Sequence, residues 1–197
     1  GEVGKELKDL LSPERLLDIL RNFSLFSTDS KKRLIKIIPR FQQYEGANKI
    51  VERVIEGRIK KGLIWHFQGS GKSLLMVFAA QKLRREPALK SPTVIVLVDR
   101  TDLDTQISGI FNASDVANVE TTESIKELQL MLEQGTRKII ISMIHKFRDA
   151  APNMNNRDNI VVLVDEAHRT QEGELGRQMR AALPNAFLFG LTGTPVN

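Results

Sequence analysis

Cysteine is absent from the 197 residues of this chain. Its absence excludes a disulfide framework and thiolate metal sites, and it fits a reducing compartment. Nor does any set of histidine, aspartate and glutamate residues have the spacing of a zinc site. No apolar stretch approaches the length of a membrane span, and no secretory signal opens the chain. These absences favour a cytoplasmic protein with no membrane partner.

Composition and charge indicate an ordinary globular domain. Hydrophobic residues make up 41% of the chain and charged residues 27%, which supports one core and excludes a disordered chain. The formal net charge is +5. This basic balance suits a nucleic-acid partner, and surface lysines that serve solubility explain it equally well.

The stretch "IWHFQGSGKS" has the residues that a phosphate-binding turn needs. Gly69 and Gly71 allow backbone N–H groups to turn toward one anion, and a helix starting near Gly71 adds its positive dipole end. In this pattern Lys72 reaches the terminal phosphates and Ser73 binds Mg²⁺. The usual pattern has another glycine where this chain has His66. The alternative is a flexible turn with a solvated lysine.

Two carboxylates follow the apolar run "VVLV", namely Asp165 and Glu166. In an open α/β sheet, ligands bind at the carboxyl ends of strands, and the phosphate turn also follows a strand. Asp165 is then placed to hold Mg²⁺ opposite Ser73, and Glu166 to orient or deprotonate a water that attacks a γ-phosphate. A strand-end turn or a helix cap is the alternative.

Helical segments and apolar runs alternate from about residue 40 onward. Several of the runs are continuously apolar, which predicts an α/β fold with a mainly parallel sheet and helices on both faces. Residues 1–38 are predicted to form a short helical or linker segment, with Ser12 as a helix N-cap and a helix or edge strand ending at Pro39. Predicted helices lie near 12–20, 41–56 and 72–84, from residue 102, near 122–134, and between the last two strands. Predicted strands lie near 62–67, 93–99, 138–142, 160–165 and 186–192.

Three short blocks, "QGSGKS", "DEAH" and "TGTP", resemble motifs I, II and III of superfamily 2 helicases and translocases. Longer blocks resemble the motor region of type I restriction endonuclease R subunits, among them "RFQQYEGANKIVERV", "GLIWHFQGSGKSLLM" and "LVDEAHRTQEGELGRQMRAALPNAFLFGLTGTP". The resemblance covers most of residues 14–197, in block order as well as content. It implies that residues 39–197 form the first RecA-like P-loop NTPase domain of a motor, and that His66 belongs to this family's version of the turn.

The resemblance also implies which residues bind ATP and Mg²⁺. Gln43 matches a glutamine that reads the adenine edge in many superfamily 2 motors, since an amide offers a donor and an acceptor together. An ordinary polar helix residue is the alternative there. The implied cofactor-binding residues are Gln43, Gln68, Gly69, Ser70, Gly71, Lys72 and Ser73. The implied catalytic residues are Lys72, Asp165 and Glu166, with Ser73 and Asp165 as the Mg²⁺ ligands.

A further group of residues is implied in coupling and in DNA contact. His168, Thr192 and Thr194 resemble the link between nucleotide state and DNA, and plain hydrogen bonding between strand ends accounts for them as well. The residues that match a DNA-backbone contact region are Arg100, Thr101 and Asp102. Such contacts carry no sequence preference. The alternative for that region is a helix N-cap beside a solvated arginine.

Several neighbouring residues receive weaker interpretations. His145, Lys146 and Arg148 follow the "IIIS" strand and are candidates for the same DNA track. His66 is interpreted as structural rather than catalytic. Trp65 and the "FLF" run are predicted to be core.

By resemblance, ATP hydrolysis in such a chain drives translocation along double-stranded DNA, ahead of remote cleavage by a separate nuclease domain. We expect that nuclease domain to precede residue 1, and a second RecA-like domain with the arginine finger to follow Asn197. Specificity and methyltransferase subunits are the implied protein partners, and the cytoplasm of a bacterium or archaeon is the implied location.

Two other functional classes stay open at this point: another superfamily 2 DNA helicase or translocase, and a nucleotide-dependent binding module without turnover. Transporter-type ATPases and GTPases are disfavoured, because the sequence has neither an LSGGQ-like block nor an Asn-Lys-x-Asp block.

Overall fold

The computed structural model of the chain describes residues 12–28, 31–67, 69–98, 109–111, 116, 118–122, 124–148, 150–165 and 174–193. The helices in these ranges are α1 (Pro13–Asn22), α2 (Phe41–Glu56), α3 (Lys72–Arg85), α4 (Ile125–Glu133) and α5 (Glu174–Ala182). The strands are β1 (Leu25–Thr28), β2 (Leu34–Ile37), β3 (Lys61–Trp65), β4 (Thr93–Val98), β5 (Val119–Thr121), β6 (Ile139–Met143), β7 (Ile160–Val164) and β8 (Phe187–Thr192). Short 3₁₀ helices cover Pro87–Leu89 and Ile144–Phe147. In this part of the chain, no helix is both long and apolar enough to cross a membrane.

Six strands form one parallel sheet in the order β3-β8-β7-β4-β6-β5. Alternate residues of β4 point to opposite faces: Val94 and Val96 join a core with α2 and α3, whereas Ile95 and Leu97 join a core with α4 and α5. Every residue of β4, β7 and β8 is buried. The predicted α/β fold with helices on both faces is therefore confirmed.

The predicted core position of Trp65 is wrong, because β3 lies at the edge of the sheet. Within the described ranges this strand pairs only with β8, and its burial alternates along its length. Trp65 is 60% exposed and Leu63, on the same face of the strand, is 50% exposed. The "FLF" run, by contrast, is buried in β8 as expected.

Strand β2 matches the edge-strand alternative predicted before Pro39, whereas its pairing with β1 and the strand β5 were not predicted from the sequence. Strands β1 and β2 pair as an antiparallel hairpin, and the three-residue strand β5 adds to the outer side of β6.

Helix α4 begins later than the predicted residue 122. Ser124 is its N-cap, where the hydroxyl accepts a hydrogen bond from the Glu127 N–H.

Helix α1 packs against α2 and α3 through a polar joint centred on Asp18. The carboxylate accepts hydrogen bonds from Lys82 Nζ (2.8 Å to each oxygen) and from Tyr44 Oη (2.9 Å). Lys82 Nζ also donates to Asn48 Oδ1 at 2.6 Å, so α1, α2 and α3 meet at one ammonium group. Phe23, just after α1, is fully buried in the core shared with α2 and α3. The division of the chain at residue 38 stays a prediction, although the packing is continuous across it.

The junction between β3 and α3 is a tight turn with two left-handed residues. Gly69 has φ +81° and Gly71 has φ +83°, and Gly71 is the N-cap of α3. A Cβ atom on Gly71 would lie 2.4 Å from Gln43 Nε2, whereas one on Gly69 would meet nothing within 4 Å. The two glycines thus share a backbone conformation but differ in how closely another helix approaches them.

Replacing Asp18 with asparagine tests the polar joint, and we expect it to lower the free energy of unfolding at pH 7 by about 1–3 kcal/mol. Burial opposes ionisation of this carboxyl, but hydrogen bonds from Lys82, Asn22 and Tyr44 and the charge of Lys82 outweigh it, so the pKa of Asp18 lies below its ordinary 3.8. A carboxyl whose pKa is lowered by folding stabilises the fold at pH values above its ordinary pKa. This stabilisation is lost as the pH falls through the folded-state pKa. Urea titrations at neutral and acidic pH should therefore show the cost of Asp18→Asn shrinking on acidification.

The control for this experiment is Glu52→Gln, which removes an exposed carboxylate from α2 and should change stability by less than about 0.5 kcal/mol. A cost of Asp18→Asn that stays constant down to acidic pH would contradict the charged joint.

The two glycines of the turn form a matched pair for a second test. Gly69→Ala adds only the strain of a left-handed alanine, about 1 kcal/mol, whereas Gly71→Ala also displaces the Gln43 amide and should cost about 2–4 kcal/mol. In a Gln43→Ala background the extra cost of Gly71→Ala should largely disappear. Denaturant unfolding measures all of these variants. Equal costs for the two glycine substitutions would show that the Gln43 contact does not hold the turn.

Candidate nucleotide site

Three neighbouring strands, β3, β8 and β7, end at the same edge of the parallel sheet. Trp65 at the end of β3 pairs in register with Thr192 at the end of β8, and the His66 N–H donates to the Thr192 carbonyl at 2.9 Å. Asp165 directly follows β7, which is the next strand after β8, and its N–H donates to the carbonyl of Leu97. The phosphate turn and the strand-end carboxylate therefore open on one edge, as the sequence predicts.

Helix α3 begins at Lys72, directly after the left-handed Gly71. The first turn of any helix presents backbone N–H groups without intrahelical partners, together with the positive end of the helix dipole. Among the described residues no side chain caps this end of α3. Lys72 and Ser73 occupy the first turn and are half-buried. A cation, a hydroxyl and a helix N-terminus thus come together in the arrangement that binds phosphate.

Gln43 joins the first turn of α2 to the phosphate turn. Its Nε2 donates to the carbonyls of Ser70 (3.3 Å) and Gly71 (3.1 Å), while its Oε1 accepts from the Arg40 N–H at 2.8 Å. The residue is 2% exposed. Its adenine-reading role stays a prediction, and reading the base would require this amide to exchange one of these hydrogen bonds. The hydrogen bonds from Gln43 to the turn could not be predicted from a local pattern, because they join residues 27 and 28 positions apart.

His66 lies against the same turn. Its Nδ1 is 3.0 Å from the Ser70 hydroxyl, and the ring also hydrogen-bonds the backbone of Gln42. Burial lowers the pKa of His66, the nearby charge of Lys72 acts in the same direction, and the Gln42 hydrogen bond opposes both. The neutral imidazole is accordingly favoured. The structural interpretation of this histidine remains the one that the contacts support.

The oxygen donors at this edge suit a magnesium ion. Asp165 is 3% exposed and Thr192 is fully buried, so the carboxylate lies at a shielded strand end. In the described part of the chain, no three His, Cys, Asp or Glu side chains gather as a metal site. Mg²⁺ takes one or two protein ligands and completes its shell with phosphates and water. One carboxylate and the Ser73 hydroxyl fit that demand.

Several predicted residues lie outside the described ranges. They are Gln68, Arg100, Thr101, Asp102, Glu166, His168 and Thr194. Their roles stay predictions.

The suggested DNA track after β6 needs one correction. Lys146 is 4% exposed and its ammonium donates to the carbonyl of Thr122, so it is built into the domain rather than offered to a phosphate. Thr122 in turn donates to the hydroxyl of Ser142 at 2.8 Å. His145 and Arg148 are exposed and stay candidates.

A family model described as SWI2/SNF2 ATPase matches residues 42–197. Among curated proteins, the type I restriction enzyme HindI endonuclease subunit of Haemophilus influenzae is 37% identical over the whole of this chain, which spans 21% of that subunit. The SsaAORF53P endonuclease subunit of Staphylococcus saprophyticus is 37% identical over 68% of this chain and 15% of its own length. The chain thus spans about a fifth of the length of the first subunit and a smaller share of the second.

Solved structures show the same fold at low sequence identity. The UvsW helicase of bacteriophage T4 superposes with a TM-score of 0.59 and 18% identity, over 93% of this chain and 61% of that one. The Sulfolobus solfataricus SWI2/SNF2 ATPase core in complex with double-stranded DNA superposes with a TM-score of 0.59 and 16% identity, over 79% and 32% of the two chains. The fold is that of a RecA-like helicase domain. With the family match over residues 42–197, these observations establish that the chain belongs to the SWI2/SNF2 ATPase family.

Proposed function

We propose that this chain is the ATP-binding half of a double-stranded DNA translocase within a type I restriction endonuclease subunit, acting in the cytoplasm of a bacterial or archaeal cell. The observation that carries the proposal is the start of α3, where Gly71, Lys72 and Ser73 follow the end of β3 at the sheet edge where Asp165 also lies. Helix N-termini with a glycine turn and a lysine are built for nucleotide phosphates rather than for a neutral ligand.

Each residue of this edge has a role in nucleotide binding under the proposal. Lys72 neutralises the terminal phosphates. Ser73 and Asp165 hold Mg²⁺, which supplies charge neutralisation between phosphate oxygens when it is bound. Glu166 orients or deprotonates the attacking water. Thr192 links the state of the nucleotide to DNA contact, and the hydrogen bond from the His66 N–H to its carbonyl supports this role.

The DNA and subunit partners follow from the relatives and from charge. The relatives are named as endonuclease subunits of type I restriction enzymes, and this chain matches about a fifth of the length of one of them. A net charge of +5 suits contact with DNA phosphates, which would be independent of sequence. We propose specificity and methyltransferase subunits as partners, with the nuclease and the second RecA-like domain supplied by other parts of the longer subunit.

Replacing Lys72 by alanine tests the phosphate assignment. Loss of a charge-assisted contact worth about 1.5–3 kcal/mol should weaken ATP binding about 10- to 100-fold while leaving the fold intact. Lys126→Ala, which removes an exposed lysine from α4 on the opposite face of the sheet, is the matched control and should leave affinity unchanged. Isothermal calorimetry with ATP and GTP measures affinity and base preference. Equal ATP binding by wild type and Lys72→Ala would rule out the phosphate site.

Turnover tests whether the domain is half of a motor. Charge that builds on the γ-phosphate oxygens is often neutralised by an arginine finger worth about 10³–10⁵ in rate, and in superfamily 2 that residue comes from the second RecA-like domain. We therefore expect almost no phosphate release by this chain, and DNA-stimulated release by the longer subunit. Steady-state phosphate assays measure both, and Glu166→Gln controls for contaminating ATPases. Robust turnover by the chain alone, abolished in Glu166→Gln, would show that the site is complete without a second domain. A longer subunit that binds ATP without turnover would indicate a binding module.

A further inference from the structure

His66 occupies the position at which the usual phosphate-binding turn has a glycine. A glycine there would contribute only backbone freedom, whereas the imidazole contributes two ring nitrogens and a bulky plane. One nitrogen, Nδ1, lies 3.0 Å from Ser70 Oγ. The ring is half-buried, and its second contact is the backbone of Gln42 in the first turn of α2. The side chain therefore bridges the helix before β3 and the turn after it.

The protonation of the ring follows from its two partners. The hydrogen bond to the Gln42 backbone raises the pKa of His66. A backbone carbonyl has this effect, because it can only accept a hydrogen bond from the ring. A neutral imidazole has one donor and one acceptor nitrogen. If the donor faces Gln42, Nδ1 is the acceptor, and the Ser70 hydroxyl must donate to it. The neutral tautomer with hydrogen on Nε2 satisfies both contacts in this way.

This bond completes the fixing of Ser70, which is 4% exposed. The Ser70 N–H donates to the Phe67 carbonyl at 3.1 Å, and its own carbonyl accepts from Gln43 Nε2 at 3.3 Å. With the hydroxyl held by His66, all three polar groups of Ser70 have partners. Of these partners, Gln43 belongs to the first turn of α2, and His66 is hydrogen-bonded to the backbone of Gln42 in the same turn. Ser70 is therefore held against α2 through both His66 and Gln43. These contacts fix the direction of the backbone N–H groups of the turn.

We infer that His66 is a positioning residue: as the Nε2–H tautomer it holds the Ser70 hydroxyl, and with it the phosphate-binding turn, against α2. It raises nucleotide affinity by pre-organising the turn and makes no contact with the nucleotide. This inference rests on the proposed ATP site. Pre-organisation increases affinity because the ordering of the turn no longer has to occur on binding.

The first experiment reads the tautomer without any nucleotide. The chain has three histidines, so ring ¹⁵N labelling gives few signals, and a His66→Ala sample identifies the signal of His66. We expect at pH 7.5 a neutral ring with hydrogen on Nε2, and we expect Ser70→Ala to shift the Nδ1 resonance. Hydrogen on Nδ1, or a His66 signal that Ser70→Ala leaves unchanged, would overturn the inference.

The second experiment is a double-mutant cycle on ATP affinity, measured by calorimetry. Loss of one buried hydrogen bond corresponds to about a fivefold change in affinity. His66→Ala should weaken ATP binding by about that factor, but by less than about twofold when Ser70 is already alanine. His66→Asn, whose Oδ1 replaces the Nδ1 acceptor, should recover most of the affinity. His66→Phe, which keeps the bulk and loses the acceptor, should be as weak as His66→Ala.

The outcomes separate this inference from the proposed function. If wild type binds ATP and Lys72→Ala does not, but His66→Ala or His66→Phe binds like wild type, the positioning role is wrong and the ATP site stands. If the wild-type chain does not bind ATP at all, the proposed function fails and the affinity role of His66 fails with it. Circular dichroism of each variant identifies any loss of fold. His66→Asn and Ser70→Ala, the smallest changes, then decide the matter if His66→Ala unfolds.

Discussion

The contact between the first turn of α2 and the turn that precedes α3 is the constraint on which the candidate site depends. Gln43 uses its Nε2 on two carbonyls of that turn and its Oε1 on the backbone of Arg40. The approach is so close that no side chain fits at Gly71. Because α3 starts at the next residue, the direction in which its N-terminal N–H groups point is set by this contact. The position of Lys72 and Ser73 follows from it.

A second contact farther along the two helices supports the first. A Cβ atom on Gly46 of α2 would lie 2.7 Å from Leu75 Cδ1 of α3, so a glycine is what allows the helices to approach each other there. Near the other end of α3, Lys82 joins Asn48 of α2 and Asp18 of α1. Helix α3 is therefore held against α2 at its start, in its middle and near its end. Rotation of α3, which would misdirect its first turn, would break polar bonds at both ends at once.

The sequence was sufficient for the features that local patterns encode. The continuous apolar runs of β4 and β7 indicated a buried parallel sheet, and the Ser12 cap with proline at the first helical position placed the start of α1. The strand that ends before Asp165 and the glycine turn before Lys72 placed both motifs at strand ends. Helix α2 has the predicted bounds of residues 41–56.

The features that could not be predicted from the sequence depend on contacts between residues that are far apart in the chain. Trp65 has the composition of a core residue, but its burial depends on the order of strands, and β3 is at the edge. The sequence position of Lys146 suggests a DNA contact, but its ammonium donates a hydrogen bond to the carbonyl of Thr122, 24 positions earlier. Strand β5 has a glutamate in its centre, and only its ladder with β6 makes it a strand. The hydrogen bonds of Gln43 to the turn are likewise absent from any local pattern.

His66, at the position where the usual pattern has glycine, shows that the turn needs backbone flexibility at some positions and conformational order at others. The left-handed residues at 69 and 71 are both glycine, which alone adopts that conformation without strain. Glycine also has the largest conformational entropy to lose on ordering, so a turn made mostly of glycine is costly to fix around an anion. Position 66 continues from β3, with its N–H bonded to the Thr192 carbonyl of β8, and therefore has no need of glycine's freedom. A side chain at position 66 that holds Ser70 therefore reduces the conformational entropy of the turn without imposing backbone strain.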